Sequence, residues 1–321
     1  MKSIQLIVFI FAFFSMGSLE AQKDFKIIAY TTHGTPLSVI PWGQVTHLNY
    51  SFALPAKSGD TLIPFSEPNY IHELVKKAHR ENIEVFLSVG GWGIGDEAGD
   101  DTRFHRMAER PEGRKKFAAS IMNVVSTFQF DGVDLDWEYP DPDHRSAEDF
   151  LLFMKELGQA LHRQNKKLTA AVVSHGKQAY GIKKEVFSEI DWLNIMVYDA
   201  DYGPQEIVHH SPYSLAVQCL DFWLHERQLP AEKCVLGLPL YAKQGHGRYG
   251  FSYQELLKNG ASPYDDYWKG HFYNGLFTIS NKTKLALERR LGGVMVWEIR
   301  LDQPGPYSLM NRIHQTVYPS K

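Results

Sequence analysis

The chain has 321 residues, of which 44% are hydrophobic, so it can bury a large core as one large α/β barrel or as two smaller domains. Its net charge of −3 at pH 7 gives no electrostatic case for binding nucleic acid. Its two cysteines, Cys219 and Cys234, are too few for a disulfide framework, and they fit either buried thiols or a single bridge.

Residues 1–21 predict a secretory signal peptide. Lys2 precedes an apolar run from Ile4 to Met16, and small residues lead to a cleavage point after Ala21. The apolar run is too short to span a membrane, and no cysteine follows it that would carry a lipid anchor. We therefore expect a secreted or periplasmic protein that has no membrane contact after cleavage. We also expect this protein to be a monomer.

Eight β-like apolar runs follow, and helical patterns separate most of them. The runs are Lys26–Tyr30, Val45–Ala53, Glu84–Gly90, Gly132–Glu138, Lys167–Val173, Trp192–Tyr198, Cys234–Leu240 and Gly293–Glu298. The clearest helical stretches are Glu67–Glu81, Arg114–Phe128, Ser146–Arg163, Ser214–Glu226 and Ile279–Arg290. Strands that alternate with helices pair in parallel, and eight such units predict a (β/α)8 TIM barrel of the α/β class.

A doubly wound open sheet is the alternative fold. It requires a glycine-rich phosphate-binding turn after the first strand, and the segment Tyr30–Gly34 lacks one. No internal repeat, low-complexity run or Pro/Gly/Ser-rich linker divides the chain. We therefore predict a single domain over residues 22–321.

The fourth run carries a dense set of acids, because residues 130–140 read FDGVDLDWEYP. Alternation in a strand places Asp134, Asp136 and Glu138 on one face and leaves Asp131 on the other, where a structural role is expected. Like charges this close cannot all ionise, so at least one carboxyl stays protonated, as a general acid must. A solvated strand or a calcium loop is the alternative, but calcium loops are turn-like and rich in glycine.

This run resembles the active-site signature D-G-x-D-x-D-W-E of glycoside hydrolase family 18, which contains chitinases and endo-β-N-acetylglucosaminidases. Four further strand ends resemble elements of that family, in the family's order. They are Ser88–Trp92, Met196–Asp199, Leu238–Tyr241 and Val294–Glu298. The resemblance covers essentially the whole mature chain, although Val173–Gly176 matches no family element.

The resemblance implies a mechanism in which the substrate supplies the nucleophile. Glu138 would protonate the glycosidic oxygen while the sugar's own N-acetyl oxygen attacks the anomeric carbon, and water would then open the oxazolinium intermediate with retention. Asp136 would hold the acetamido N–H, and Tyr198 would donate a hydrogen bond to the acetamido oxygen. Asp134 would share a proton with Asp136.

The resemblance also implies the residues that surround the sugar. Trp297 would form an apolar floor, with Asp199 and Tyr241 at its sides. Tyr30 and Ser88 would support Asp134.

Three further side chains near these strand ends have less definite roles. Met196 belongs to the matched Met-x-Tyr-Asp element and is a candidate for substrate contact. Trp92 fits either an extension of the sugar platform or the core, and His175 fits either the groove or the surface. No cofactor or metal is expected, because His209-His210 and His246 have no matched partners.

The function that the resemblance implies is hydrolysis of β-1,4-linked N-acetylglucosamine polymers or oligosaccharides by a secreted chitinase. An endo-β-N-acetylglucosaminidase that cuts N-glycans shares this chemistry, but Met196–Asp199 resembles the chitinase version of the strand. A chitinase-like lectin is the third alternative. Such lectins generally lose the acid, which is present here as Glu138.

The stretch between Tyr241 and Gly293 is short and already includes the predicted helix Ile279–Arg290. We therefore expect no α+β insertion subdomain there, and only short loops at Gly245–Gly250 and Tyr264–Trp268. Such a chain would have an open, shallow substrate groove. The enzyme would then cleave internal bonds and release the polymer after each cut, without processivity.

Overall fold

The structure is a computed structural model that describes residues 24–94, 97, 99–200, 209–245 and 249–319. Eight parallel strands form a closed barrel, in which the first strand pairs with both the second and the last. These strands are β1 Lys26–Thr32, β2 His47–Ala53, β3 Glu84–Gly90, β4 Gly132–Asp136, β5 Lys167–Val173, β6 Trp192–Met196, β7 Cys234–Pro239 and β8 Gly293–Trp297. The barrel prediction is confirmed, and the predicted signal peptide lies outside the described residues.

Helices cover the outside of the barrel, because parallel neighbours need long crossover connections. They are Pro68–Arg80, Thr102–Ala108, Pro111–Phe128, Ser146–His162, Val186–Glu189, Tyr213–Leu220, Leu276–Glu288 and Leu309–Val317. The stretch predicted at Ser214–Glu226 begins as an α-helix and continues as a π-helix over Asp221–Glu226. The helix Thr102–Ala108 is not predicted from the sequence, because seven residues are too few to show a helical period.

The barrel strands are buried on both faces. The main core lies between strands and helices and includes Val133 and Leu135 of β4. A second cluster fills the inside of the barrel and includes Ile28, Phe86 and Met295. Strands that are covered on both sides appear in the sequence as continuous apolar runs, which is why the runs predict the strands well.

A polar cluster fills the amino-terminal end of the barrel. The ammonium groups of Lys26 and Lys167 lie 5.0 and 5.8 Å from the ring centroid of Trp192. Lys167 also donates to both carboxylate oxygens of Glu84, at 2.7 and 2.8 Å. Cation–π contacts and an ion pair therefore pack this end, and the candidate site lies at the opposite, carboxyl end.

The residues between β7 and the helix Leu276–Glu288 fold into a small α+β layer. The helix Tyr253–Lys258 starts at a capping box formed by Ser252 and Glu255. Four short strands form an antiparallel sheet in the order Tyr267–Trp268, His271–Phe272, Tyr241–Lys243 and Tyr249–Ser252.

The expectation of plain loops in this stretch is therefore wrong. Strands of two to four residues are too short for an alternating pattern to reveal them. Because Tyr241 in this sheet contacts Asp199 at the barrel mouth, folded structure borders this side of the site. The expectation of an open, shallow groove was based on those loops, and it stays a prediction.

Both cysteines are buried free thiols, so the bridge that the sequence leaves open is not formed. The thiol of Cys219 donates to Ser174 O at 2.9 Å. Within the described ranges, no helix combines the length and the apolar character that crossing a membrane requires.

Candidate active site

The acids of β4 line up along the face that alternation predicts. Asp134 and Asp136 project into the barrel, whereas Val133 and Leu135 pack outward in the main core. Glu138 follows the strand and is partly exposed at the barrel mouth. The three carboxyl groups therefore form a column that runs from the barrel interior to solvent.

Asp134 is fully buried and accepts four hydrogen bonds from four different strands. Tyr30 Oη and Ser88 Oγ donate to Oδ2 at 2.6 and 3.1 Å. Thr169 Oγ1 and Asn194 Nδ2 donate to Oδ1 at 2.6 and 2.9 Å. Burial raises the pKa of Asp134, and the four donors offset part of that rise because they favour the ionised carboxylate.

Asp136 and Glu138 form a hydrogen-bonded carboxyl pair. Burial raises the pKa of Asp136 well above its usual value, and the negative charges of Glu138 and Asp134 raise it further. Burial also raises the pKa of Glu138 to about 7, although a hydrogen bond from Tyr139 opposes the rise. The pair therefore holds a proton near neutral pH.

One oxygen of this pair is left without a donor. Asp136 Oδ1 is buried and has no hydrogen-bond partner in the part of the chain that the structure describes. A buried carboxylate oxygen without a partner is costly, so the site favours a ligand that brings an N–H or O–H donor to it.

Gly90 and Gly91, at the end of β3, let the backbone of β3 lie close to that of β4 at Asp136. A Cβ atom at Gly90 would lie 2.1 Å from Asp136 O, and the φ angle of Gly90 is +119°. Gly91 N donates to the same carbonyl oxygen at 2.8 Å. The two glycines of the Ser88–Trp92 element thus let β3 and β4 approach more closely than side chains would permit.

Trp297, at the end of β8, provides an aromatic face at the mouth. Its ring stacks on Phe52, with the centroids 5.5 Å apart, and it meets the edge of Tyr30 at 5.6 Å. Met196 packs against the same inner cluster, and both Trp297 and Met196 remain partly exposed. A fixed aromatic surface of this kind can hold the apolar face of a ligand.

Asp199 is the centre of a polar network beside the acids. Tyr241 Oη donates to Asp199 Oδ1 at 2.5 Å, and Lys243 Nζ and His210 Nδ1 lie 3.2 and 3.4 Å from that oxygen. Burial acts to raise the pKa of Asp199, but hydrogen bonds from His210 and Tyr241 and the charge of Lys243 lower it overall. The resulting negative charge contributes to the raised pKa of Glu138.

Tyr198 lies between this network and the acids. Its ring packs against Tyr241, with the centroids 6.2 Å apart, and its hydroxyl is 3.8 Å from Met295 Sδ. A thioether sulfur is a weak acceptor, so the hydroxyl can donate to a stronger acceptor in the mouth. Burial and the charge of Asp136 raise the pKa of Tyr198, which keeps the hydroxyl protonated.

Trp92 is 54% exposed, which excludes the alternative that it belongs to the core. Its ring lies near that of Tyr139, with the centroids 6.4 Å apart. Because Tyr139 hydrogen-bonds to Glu138, Trp92 lies close to the mouth.

Of the histidines considered in the sequence, the structure describes His175, His209 and His210. His175 is partly exposed, and its Nδ1 lies 3.1 Å from Ser174 Oγ. His209 and His210 stack on each other, and His246 lies outside the described residues. Among the residues that are described, no group of three or more His, Cys, Asp or Glu side chains could hold a metal ion.

Several residues of the site are not predicted from the sequence. Thr169 and Asn194 are polar positions within apolar runs, and this interruption is a signal that could have identified them. Phe52, Lys243 and His210 have no such signal, because their roles depend on contacts between segments that are far apart in the chain.

The chain is similar to known proteins over most of its length. The model of the family described as "Glycosyl hydrolases family 18" matches residues 24–302. "Chitinase-3-like protein 2" of Homo sapiens is 23% identical, over 93% of this chain and 94% of its own length.

Two solved structures extend the comparison. The GH18 chitinase ChiB from the chitin utilization locus of Flavobacterium johnsoniae is 28% identical with a TM-score of 0.80, over 91% of this chain and 94% of that one. A chitinase from Bacteroides thetaiotaomicron is 26% identical with a TM-score of 0.81, over 92% and 97%.

Proposed function

Because the chain belongs to glycosyl hydrolases family 18, we propose that it is a chitinase that hydrolyses β-1,4 bonds between N-acetylglucosamine units. The observation that carries the proposal is the complete carboxyl column. Glu138, at the mouth, has a pKa raised to about 7, and Asp136 behind it has a buried oxygen without a donor.

Glu138 is the proton donor in this proposal. A general acid works best when its pKa is near the working pH, and the pKa of Glu138 meets that condition. Its position at the mouth suits contact with a glycosidic oxygen. The proton passes to that oxygen as the bond to the anomeric carbon breaks, and the leaving sugar departs as an alcohol.

The nucleophile is the N-acetyl oxygen of the substrate, which forms an oxazolinium ion that water opens with retention. The acetamido N–H supplies the donor that Asp136 Oδ1 lacks. Tyr198 donates its hydroxyl hydrogen to the acetamido oxygen and so orients it toward the anomeric carbon. Asp134 shares a proton with Asp136 and resets it after each turnover.

The remaining residues position the sugar. Trp297 lies beneath it, and Asp199 and Tyr241 contact it from the side. Met196 lines the same end of the barrel, and the exposed ring of Trp92 extends the surface for a longer chain. Tyr30 and Ser88 act through Asp134, to which both donate.

A panel of substrates tests this function. Purified protein is incubated with chitin oligomers, with fully deacetylated oligomers and with a high-mannose glycoprotein. We expect cleavage of the first only, since the deacetylated sugar has no internal nucleophile. Cleavage of the glycoprotein alone would make the protein an endo-β-N-acetylglucosaminidase, and sugar binding without cleavage would make it a lectin. Rapid hydrolysis of the deacetylated oligomers would show that a protein carboxylate is the nucleophile.

Export is part of the same proposal, because chitin is an extracellular polymer. We propose that residues 1–21 are removed as a signal peptide and that residues 22–321 act as a monomer. Expression with the native N-terminus should release a mature protein that begins at Gln22, as read by N-terminal sequencing. A product in the medium or periplasm that still begins at Met1 would contradict this.

A further inference from the structure

Lys282 is a fully buried lysine on the helix Leu276–Glu288. Its ammonium group donates to Ser211 O at 2.7 Å, to Ser211 Oγ at 2.8 Å and to Asn274 Oδ1 at 2.7 Å. All three acceptors are neutral, and they match the three N–H groups of an ammonium ion. Burial lowers the pKa of Lys282 to about 7, so the charged form is costly in this position.

The contacts of Lys282 converge on Ser211. Ser211 Oγ donates to Val197 O at 2.6 Å, which ties it to the residue before Tyr198. Asn274 Nδ2 donates to Ser211 O at 2.8 Å, so the lysine and the amide hold the same carbonyl. Ser211 is therefore fixed between the helix of Lys282 and the end of β6.

The residue before Ser211 extends this connection to Asp199. His210 Nδ1 lies 3.4 Å from Asp199 Oδ1, and His210 O accepts a hydrogen bond from Ala200 N at 3.1 Å. His210 and Ser211 thus hold the backbone on both sides of the Tyr198–Asp199 pair, at Val197 and at Ala200.

We propose that Lys282 is a positioning residue, which anchors the segment 209–211 and through it orients Tyr198 and Asp199 toward the sugar. This inference rests on the proposed function and adds to it a residue that touches no substrate. A misplacement of about 1 Å at a reacting group can cost 10²-fold in rate, so the anchor affects turnover as well as packing.

The test compares Lys282→Met with Lys284→Met. Methionine keeps the length of the side chain but has no donor, so Ser211 Oγ and Asn274 Oδ1 lose their bonds to the lysine. Lys284 lies on the same helix and is exposed, which makes it the matched control. Steady-state kinetics on a soluble chitin oligosaccharide are measured well below the melting temperature of each variant.

We expect kcat of Lys282→Met to fall about ten- to a hundredfold with little change in KM, because Tyr198 acts mainly in the transition state. Lys284→Met should match the parent. Unchanged kcat for Lys282→Met, even with a lower melting temperature, would overturn the inference and leave the lysine a purely structural role.

A second variant and a binding measurement cover the cases in which Lys282→Met does not fold or the parent does not cleave the sugar. If Lys282→Met does not fold, Ser211→Ala replaces it, because it removes the hydroxyl that bridges Lys282 and Val197. A fall in kcat supports the inference, and no change overturns it. If the parent binds chitin oligosaccharides without cleaving them, the proposed function fails, and affinity then tests the anchor through the contacts of Tyr198 and Asp199 with the sugar. Weaker binding by Lys282→Met than by Lys284→Met supports the inference, and equal binding overturns it. A parent that neither binds nor cleaves overturns both proposals.

Discussion

Replacing Glu138 with glutamine is expected to abolish turnover while the fold and sugar binding persist. The amide keeps the shape of the side chain but has no acidic proton to give to the glycosidic oxygen. Loss of a general acid typically costs about 10²–10⁴-fold in rate. Initial rates on chitin oligomers, with circular dichroism and calorimetric binding as controls, measure the effect.

The pH dependence of the parent adds to this prediction. The pKa of Glu138 is raised to about 7, so its proton is present below that pH and is lost above it. We therefore expect kcat/KM to decline as the pH rises through about 7. A folded Glu138→Gln variant with activity near that of the parent would show that another group donates the proton.

Replacing Asp136 with asparagine is expected to lower kcat by about 10²–10³-fold, as the loss of one electrostatic contact to a reacting group often does. The variant keeps an amide oxygen beside the acetamido group but loses the carboxyl group that exchanges a proton with Asp134. Binding should weaken less than turnover, because Trp297 still holds the sugar. Parallel measurements of kcat and of oligosaccharide affinity separate the two effects.

Asp131→Asn is the matched control for this substitution. Asp131 precedes the same strand at its other end, where Oδ2 accepts hydrogen bonds from Val85 N and from His79 Nε2, both at 2.8 Å. We expect unchanged kcat and at most a small loss of thermal stability. An inactive Asp131→Asn together with a silent Asp136→Asn would reverse the assignment of the two faces of the strand.

The face on which the acids lie is predictable from the sequence, because it depends only on the alternation of side chains within β4. Alternation alone places Asp134 and Asp136 on the same face, whatever the neighbouring strands are. The donors that surround Asp134 depend on the register between strands. Ser88 and Thr169 lie beside it because β3 and β5 pair with β4 in one particular register, which no local pattern reveals.

The small α+β layer, in contrast, is not predictable from the sequence. Its strands have two to four residues, so their pattern cannot be told from that of a loop. They are stabilised by pairing with one another and by packing against the barrel, and both depend on the finished fold. The contact between Lys243 and Asp199 is hidden for the same reason.

The four donors of Asp134 limit how this protein can be divided or recombined. Tyr30 and Ser88 come from the first half of the barrel, and Thr169 and Asn194 come from the second. A fragment that ends after β4 would carry the acids with only half of this support. An exchange of half-barrels with a relative would require both sets of donors to match across the new boundary. The unit that can be exchanged with its chemistry intact is therefore the whole barrel, and activity in a split or chimaeric chain would report that both halves have closed around the same carboxylate.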